Sequence, residues 1–273
     1  MKMKRIIIFF LLITILISFQ CKKDKIPDDP PIPGIIPPKI ISFYEVYSFE
    51  RYSFNKMKYK GNRFDYAVCS GDTIKFTYKN NRLDSYIGPM FGSCCDVNFR
   101  KQYHYINDSL IDRIWFKSTY KDDELENIEL KYNAANQINY YRLQHSLDPY
   151  PYYLYEWTGD DITKVTTYNY NYHVTPVTVV QSIDCYTYSD TINPLQSLKT
   201  IYFKSIFLNK HLPKSMTRIR YEYDYDNNNS PTTRTLAKID TLHFNYSFDY
   251  SNSGLVTNIY MNNQKHFNIR YDK

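Results

Sequence analysis

Phe244-Asn245-Tyr246-Ser247-Phe248-Asp249-Tyr250-Ser251-Asn252-Ser253-Gly254-Leu255 decides the fold class of this chain. Aromatic rings occupy every second position from Phe244 to Tyr250, with Asn245, Ser247 and Asp249 between them. Period two is the signature of a strand with one face buried and the other wet. Asn252-Ser253-Gly254 then supplies residues that tolerate the positive φ of a tight hairpin turn, and Leu255 opens a returning strand. The same sentence recurs along the chain. Tyr78, Leu83 and Ile87 flank Lys79-Asn80-Asn81; Tyr105, Leu110 and Ile114 flank Asn107-Asp108-Ser109. Tyr132, Ile138 and Tyr141 around Ala134-Ala135-Asn136 are a copy shifted by one, and so are Trp157, Ile162 and Val165 around Gly159-Asp160-Asp161. Tyr221, Tyr223 and Tyr225 alternate with acids, and Tyr168, Tyr170 and Tyr172 with asparagines.

Hairpins linked in series predict an all-β protein, an antiparallel meander forming one large twisted or curled sheet. One segment departs from the pattern. Asn193-Pro194 starts a helix well, and Leu195, Leu198, Ile201, Tyr202 and Ile206 fall near helical spacing, so a short helix or an ordered crossover between two sheet halves is expected over 194–208.

The first residues read as an address. Lys2, Lys4 and Arg5 precede the apolar run Ile6 to Ile17, whose length suits a secretory signal and is short for a bilayer of about 30 Å. Ser18-Phe19-Gln20-Cys21 then stands where a lipoprotein signal peptidase cuts, and Cys21-Lys22-Lys23-Asp24-Lys25 follows. These residues resemble bacterial lipoproteins, and the charged run resembles the signal that sends many lipoproteins of the Bacteroidota to the outer face of the outer membrane. With the Tyr-x-Tyr strands, Tyr186-Thr-Tyr188 before Asn193-Pro194 and the closing Ile269-Arg-Tyr271-Asp272, the chain resembles a Bacteroidota lipoprotein family of unknown function with Tyr-Asp-like hairpin repeats. The resemblance implies lipidation at Cys21, an acyl anchor in a membrane and display outside the cytoplasm; it implies no activity. Pro27, Pro30, Pro31, Pro33, Pro37 and Pro38 make 21–39 a semi-rigid stalk, reaching on the order of 50 Å at about 3.1 Å per residue. Three parts result: signal peptide 1–20, acylated Cys and stalk 21–39, and a Tyr-rich domain 40–273.

Charge and cysteines bound the function. The formal net charge is +6, of which the leader supplies three and the stalk one, leaving the domain near +2. That is too small and dispersed for a nucleic-acid partner. Cys69, Cys94, Cys95 and Cys185 remain, an even number in an oxidising compartment, and two disulfides are expected. Adjacent Cys94 and Cys95 do not reach the geometry to bridge each other, so Cys69 and Cys185 would each pair with one of them; buried free thiols are the alternative.

Catalytic constellations are missing from the sequence. There is no Gly-x-Ser-x-Gly, no phosphate-cradling glycine loop and no His-Glu-x-x-His, and the six histidines are scattered. Asp122-Asp123 and Asp160-Asp161 read as solvated turn carboxylates rather than a glycosidase pair. Asp224, Asp226 and Asn228 open like a calcium loop, but Asn229 and Thr235 stand where Gly and Glu are needed. No metal or cofactor is expected. Tyr150, Tyr152 and Tyr153, read as a loop with Asp148, Pro149 and Pro151, are candidates for stacking on a ligand. Asp-Ser/Thr-apolar triplets resemble the O-glycosylation acceptor of exported Bacteroidota proteins and mark Thr73, Ser109, Thr191 and Thr241. The leading expectation is a surface-anchored, non-catalytic binding or structural module for glycan or nutrient capture, with a glycan or a surface protein as its partner. A periplasm-facing carrier of a lipid or acyl chain, and an enzyme with an unrecognised site, stay open beside it.

Overall fold

The computed structural model describes residues 39–272, apart from 46–52, 55, 62, 70–71, 90–97, 108, 119–123, 146–148, 171–177, 200–204 and 226–233. Residues 1–38, which hold Cys21 and the segments expected to be signal peptide and stalk, lie outside the described residues, as do Cys94 and Cys95.

Seventeen strands are described. They are β1 (Ile40–Glu45), β2 (Ser53–Phe54), β3 (Lys56–Lys60), β4 (Arg63–Cys69), β5 (Asp72–Lys79), β6 (Arg82–Pro89), β7 (Asn98–Tyr105), β8 (Ile111–Ser118) and β9 (Glu124–Tyr132). Then follow β10 (Ile138–His145), β11 (Pro149–Thr158), β12 (Asp161–Tyr170), β13 (Thr178–Ile192), β14 (His211–Tyr225), β15 (Arg234–Tyr250), β16 (Val256–Met261) and β17 (Gln264–Tyr271). Every described ladder is antiparallel, and from β3 to β17 each strand pairs with the next. β17 then pairs with β1, β1 pairs with β2, and β1 lies beside β3, so the ends of the meander meet in a nearly closed sheet. The expected all-β antiparallel meander is the fold observed.

Turn chemistry explains how a chain with only seven glycines makes so many hairpins. Asparagine does most of the work of glycine. Asn80 and Asn81 both have positive φ, as do Asn262 and Asn263, which is the left-handed pair that a two-residue hairpin turn requires. Asn136 turns β9 into β10, while Gly159 and Gly254 serve β11–β12 and β15–β16.

At most of the turns the aromatic residue before the reversal has a second task, which ties hairpin to hairpin; Tyr250 and Tyr260 instead meet the side chains of Thr191 and Asp249. Tyr78 hydrogen-bonds the backbone of Phe64. The Tyr105 hydroxyl donates to the carbonyl of Leu83 at 2.8 Å, and Tyr132 to that of Ile111 at 2.6 Å. Trp157 donates its Nε1–H to Ile138 at 2.7 Å, and Tyr188 donates to Ile162. Each acceptor is the apolar residue opening the second strand of the preceding hairpin. Tyr59 completes the ring by donating to Ile40 at 2.8 Å, and Tyr271 donates to Val256 at 2.7 Å. Hydroxyls that burial would leave unpaired thereby find main-chain partners.

The two faces of the sheet differ sharply. Met57, Phe64, Ile74, Leu83, Ile114, Leu130, Ile162 and Phe267 belong to one buried cluster. The opposite positions Lys56, Lys58, Lys75, Arg113, Lys131 and Glu156 are exposed. The sheet is thus curled around a largely apolar interior, and its exterior mixes these charges with side chains such as Tyr152, Tyr168 and Ile87.

Candidate functional site

From β3 onward the odd-to-even connections lie at one end, so the turns at Asn80-Asn81, Asn136, Gly159 and Gly254 share it with the longer connection from β13 to β14, while Asn262-Asn263 turns at the other. That connection begins as a 3-10 turn, Pro194–Leu198, and ends as a single helical turn, α1 (Ser205–Leu208). The helix expected over 194–208 is therefore two short pieces. Leu195, Leu198 and Phe207 are completely buried, and Phe207 meets Phe267 of β17 edge-on with centroids 6.1 Å apart. The segment folds back and closes the turn end of the interior.

Polar side chains hold this closure. Buried Asn193 caps the 3-10 turn, its Oδ1 accepting from Leu195 N at 3.0 Å, and its Nδ2 donates to the carbonyls of Ile206 and Asn209. Asn209 Oδ1 accepts from Ile162 N at 2.6 Å. Asp161 accepts from His211 N at 2.8 Å, and its other oxygen lies 2.7 Å from His211 Nδ1. Asp160 pairs with Lys210 at 3.2 Å. The acidic pair read as solvated is so only at Asp160; Asp161 is buried because it anchors the start of β14.

Above this floor one stretch of inner wall is polar. Asp184 on β13 and Arg218 on β14 face each other across the ladder. Arg218 grips the carboxylate with two nitrogens, Nε to Oδ1 at 2.7 Å and Nη2 to Oδ2 at 2.8 Å. Tyr186, two residues along β13, faces Met216, which faces Phe244 of β15. Tyr186 and Tyr246 both pack against the core, which fixes this as the interior side, and the Tyr186 hydroxyl lies 3.3 Å from Ser205 Oγ of α1. The Arg218 guanidinium sits 5.9 Å from the Phe244 ring centre.

The electrostatics suit recognition rather than proton transfer. Hydrogen bonding to Asp184 raises the Arg218 pKa further, so the guanidinium keeps its charge. Burial, and then the nearby Asp184 carboxylate, push Tyr246 up to about 12 and Tyr186 higher still, so both rings keep neutral hydroxyls at ordinary pH. Asp184 is 7% exposed but Arg218 is 40% exposed. A guanidinium has five N–H donors, and only those on Nε and one on Nη2 are spent on Asp184. A half-open cation framed by rings and hydroxyls can bind a carboxylate or a hydroxylated ring.

The residues singled out from sequence do not gather here. Tyr150, Tyr152 and Tyr153 belong to β11 rather than a loop: Pro149 heads the strand, where no ladder N–H is needed, and the register slips beside Pro151. Tyr152 lies flat against Tyr168 at 4.7 Å on the outer face, and Tyr153 meets Tyr141 edge-on at 5.5 Å and packs on the core. Thr73 and Thr241 are exposed on strands and Ser109 in a turn, while Thr191 is half-buried with its hydroxyl 3.0 Å from that of Tyr250. Cys185 lies on β13 opposite Thr217; the side chains of Cys69, Cys94 and Cys95, and with them the expected pairing, lie outside what is described. Among the described residues no group of three His, Cys, Asp or Glu could hold a metal ion.

Sequence reading missed Asp184 and Arg218, although a signal existed. Asp184 precedes Tyr186 and Tyr188 at the parity of the buried face, so a charge stood where the pattern wants an apolar residue. Lys101 ahead of Tyr103 and Tyr105 repeats the anomaly. It is buried on β7 with its ammonium 4.9 Å from the Phe116 ring centre, and burial lowers its pKa to about 7.

No family model matches the chain, and no curated protein matches it significantly. Solved structures similar in outline include a porin-like protein from Bacteroides vulgatus ATCC 8482, with a TM-score of 0.37 at 9% identity, covering 85% of this chain and 98% of that one. Another porin-like protein, from Bacteroides uniformis ATCC 8492, gives 0.41 at 10% identity, covering 87% of this chain and 98% of its own.

Proposed function

We propose that this chain is an outer-membrane lipoprotein, tethered through acylated Cys21, whose curled sheet is a non-catalytic binding module for glycans bearing a carboxylate. The observation that carries the reading is the Arg218–Asp184 pair on the inner wall, half-open beside Phe244 and Tyr246. A bidentate partner fixes the guanidinium plane in advance, so a ligand carboxylate or hydroxyl meets a pre-oriented donor. Aromatic rings beside it offer the flat apolar faces on which sugar C–H groups stack.

Attachment through lipid fits the faces of the sheet. A strand wall inside a bilayer needs an outward apolar band about 25 Å tall. Here the outward positions include Lys56, Lys58, Lys75, Arg113 and Lys131 beside Tyr152, Tyr168 and Ile87, and the charges among them favour a sheet standing off the membrane on its stalk. A carrier of acyl chains would need a vacant apolar interior, and Leu195, Leu198 and Phe207 fill its turn end.

Two measurements test this reading. Protease shaving of intact cells, wild type beside Cys21→Ala, tests anchor and display; protection of the wild type until the outer membrane is opened rejects the surface role. Glycan-array binding followed by calorimetry tests the site. Arg218→Met is expected to weaken binding by about 10- to 100-fold, the worth of a hydrogen bond to a charged group. Unchanged affinity in that variant, or no glycan bound by the wild type, rejects it.

A further inference from the structure

The β14–β15 hairpin outruns its neighbours. β15 spans Arg234–Tyr250, but its ladder with β16 involves only Tyr246 to Tyr250. From Arg234 to Phe244 its far edge faces no strand among the described residues. Asn245 shows which backbone groups lie on that edge: its N–H donates to Asn262 Oδ1 and its carbonyl accepts from Asn262 N, both at 2.8 Å. With period two, the N–H and C=O groups of Thr241 and Ile239 point the same way. Leu236, Ile239 and Leu242 on this segment are 41%, 48% and 44% exposed.

Such an edge invites another strand, and proteins ordinarily guard it with an unpaired charge. The guard is here cancelled in a particular way. Leu236-Ala237-Lys238-Ile239-Asp240-Thr241-Leu242 is centred on Ile239, with leucines at both ends and Lys and Asp, opposite in charge, at mirrored positions. Lys238 and Asp240 share one face, opposite Glu222 and Arg220 of β14, and already touch at 2.8 Å.

We propose that the β15 edge pairs antiparallel with the same edge of a second copy, about a two-fold axis at Ile239. Ile239 then exchanges two N–H···O bonds with its own counterpart. Lys238 lies opposite Asp240 of the second copy, and Asp240 opposite Lys238, while the leucines meet at either end. The register is set by charge. A two-fold at Asp240 brings like carboxylates face to face, which is destabilising, and one at Thr241 leaves both charges opposite apolar residues. The bulge at Ala237, where β15 slips against Glu222 and Tyr223, limits the pairing to this short core. The symmetric pairing is isologous, so it closes at two copies rather than growing into a filament.

The test is sedimentation velocity of the full chain carrying Cys21→Ala, from about 1 to 100 µM, the range that reveals a micromolar Kd. The expected result is a reversible dimer. Lys238→Asp makes both cross-strand pairs repulsive and is expected to weaken the dimer by at least about tenfold, and adding Asp240→Lys restores it with the charges exchanged. Circular dichroism checks that each variant keeps its sheet. Amide exchange gives an independent reading: Ile239 should gain protection as wild-type concentration rises. A wild type monomeric throughout, a double variant as weak as the single one, or an Ile239 amide already protected in the monomer overturns the proposal.

Discussion

Tyr132→Phe tests how the hairpins are held together. The substitution keeps the ring and removes one hydroxyl, which donates at 2.6 Å to the Ile111 carbonyl on the neighbouring hairpin. An intramolecular hydrogen bond is worth about 1 kcal/mol net, and leaving a part-buried acceptor unsatisfied moves the cost toward about 1.5 kcal/mol. For a domain of this size about 1 kcal/mol corresponds to a fall of about 2–4 °C in Tm, well within reach of calorimetry. The more demanding measurement is a cycle with Tyr105→Phe, whose hydroxyl donates to Leu83 one hairpin earlier. In a chain of nearest-neighbour contacts stability is a sum of units and interfaces, so adjacent links should couple beyond additivity while Tyr132 and Tyr271 should not. Trp157 supplies an internal control, because its Nε1–H stands where the other hairpins use a hydroxyl. Trp157→Phe should cost more than Trp157→Tyr despite similar loss of ring. If Tyr105→Phe, Tyr132→Phe and their combination all melt with the wild type, the hydroxyl links are incidental and the hairpins are held by rings alone.

Three further outcomes follow from burial and charge. Phe207→Ala empties the floor of the interior and should cost about 3–5 kcal/mol in chemical denaturation, whereas Phe207→Leu should keep most of the fold. Lys101, lowered to about 7 in the folded chain by burial, is protonated more readily when unfolded, so stability should rise from pH 7 toward pH 10; Lys101→Met should flatten that rise. Tyr132 and Tyr246, both raised to about 12 chiefly by burial, contribute stability that is whole below their ordinary value of 10.0 and lost as pH climbs through 12, so melting temperatures should fall steeply in that window.

Strand and turn were legible because both are local. Alternating rings along Phe244 to Tyr250 and the Asn-rich turns state period and reversal within a dozen residues. The turn at Asn262-Asn263 escaped notice because Lys265 stands five residues after Tyr260, where Leu83 follows Tyr78 and an apolar residue completes the pattern. The wall site was not legible for a different reason. Asp184 and Arg218 are 34 residues apart, and only the ladder register brings them opposite each other. Asp161 illustrates the same limit. Its burial depends on His211, fifty positions away, arriving from a connection whose path no periodicity encodes. The tyrosines of β11 misled because proline beside aromatics looks like a loop until a register slip is allowed to absorb it.

The seam at β1 has a mechanical meaning. Ile40, the first strand residue, is 2% exposed, pairs with Tyr271 and accepts from Tyr59, while Lys39 accepts from the Asp272 amide. A tether pulling on residue 39 would draw β1 along its own axis. The ladder to β17, from Ile40 to Glu45 against Tyr271 to Phe267, is then loaded in shear, with all its rungs sharing the force. Peeling would break them one at a time. A domain held in moving fluid through residue 39 would therefore be gripped along a ladder rather than at a single rung.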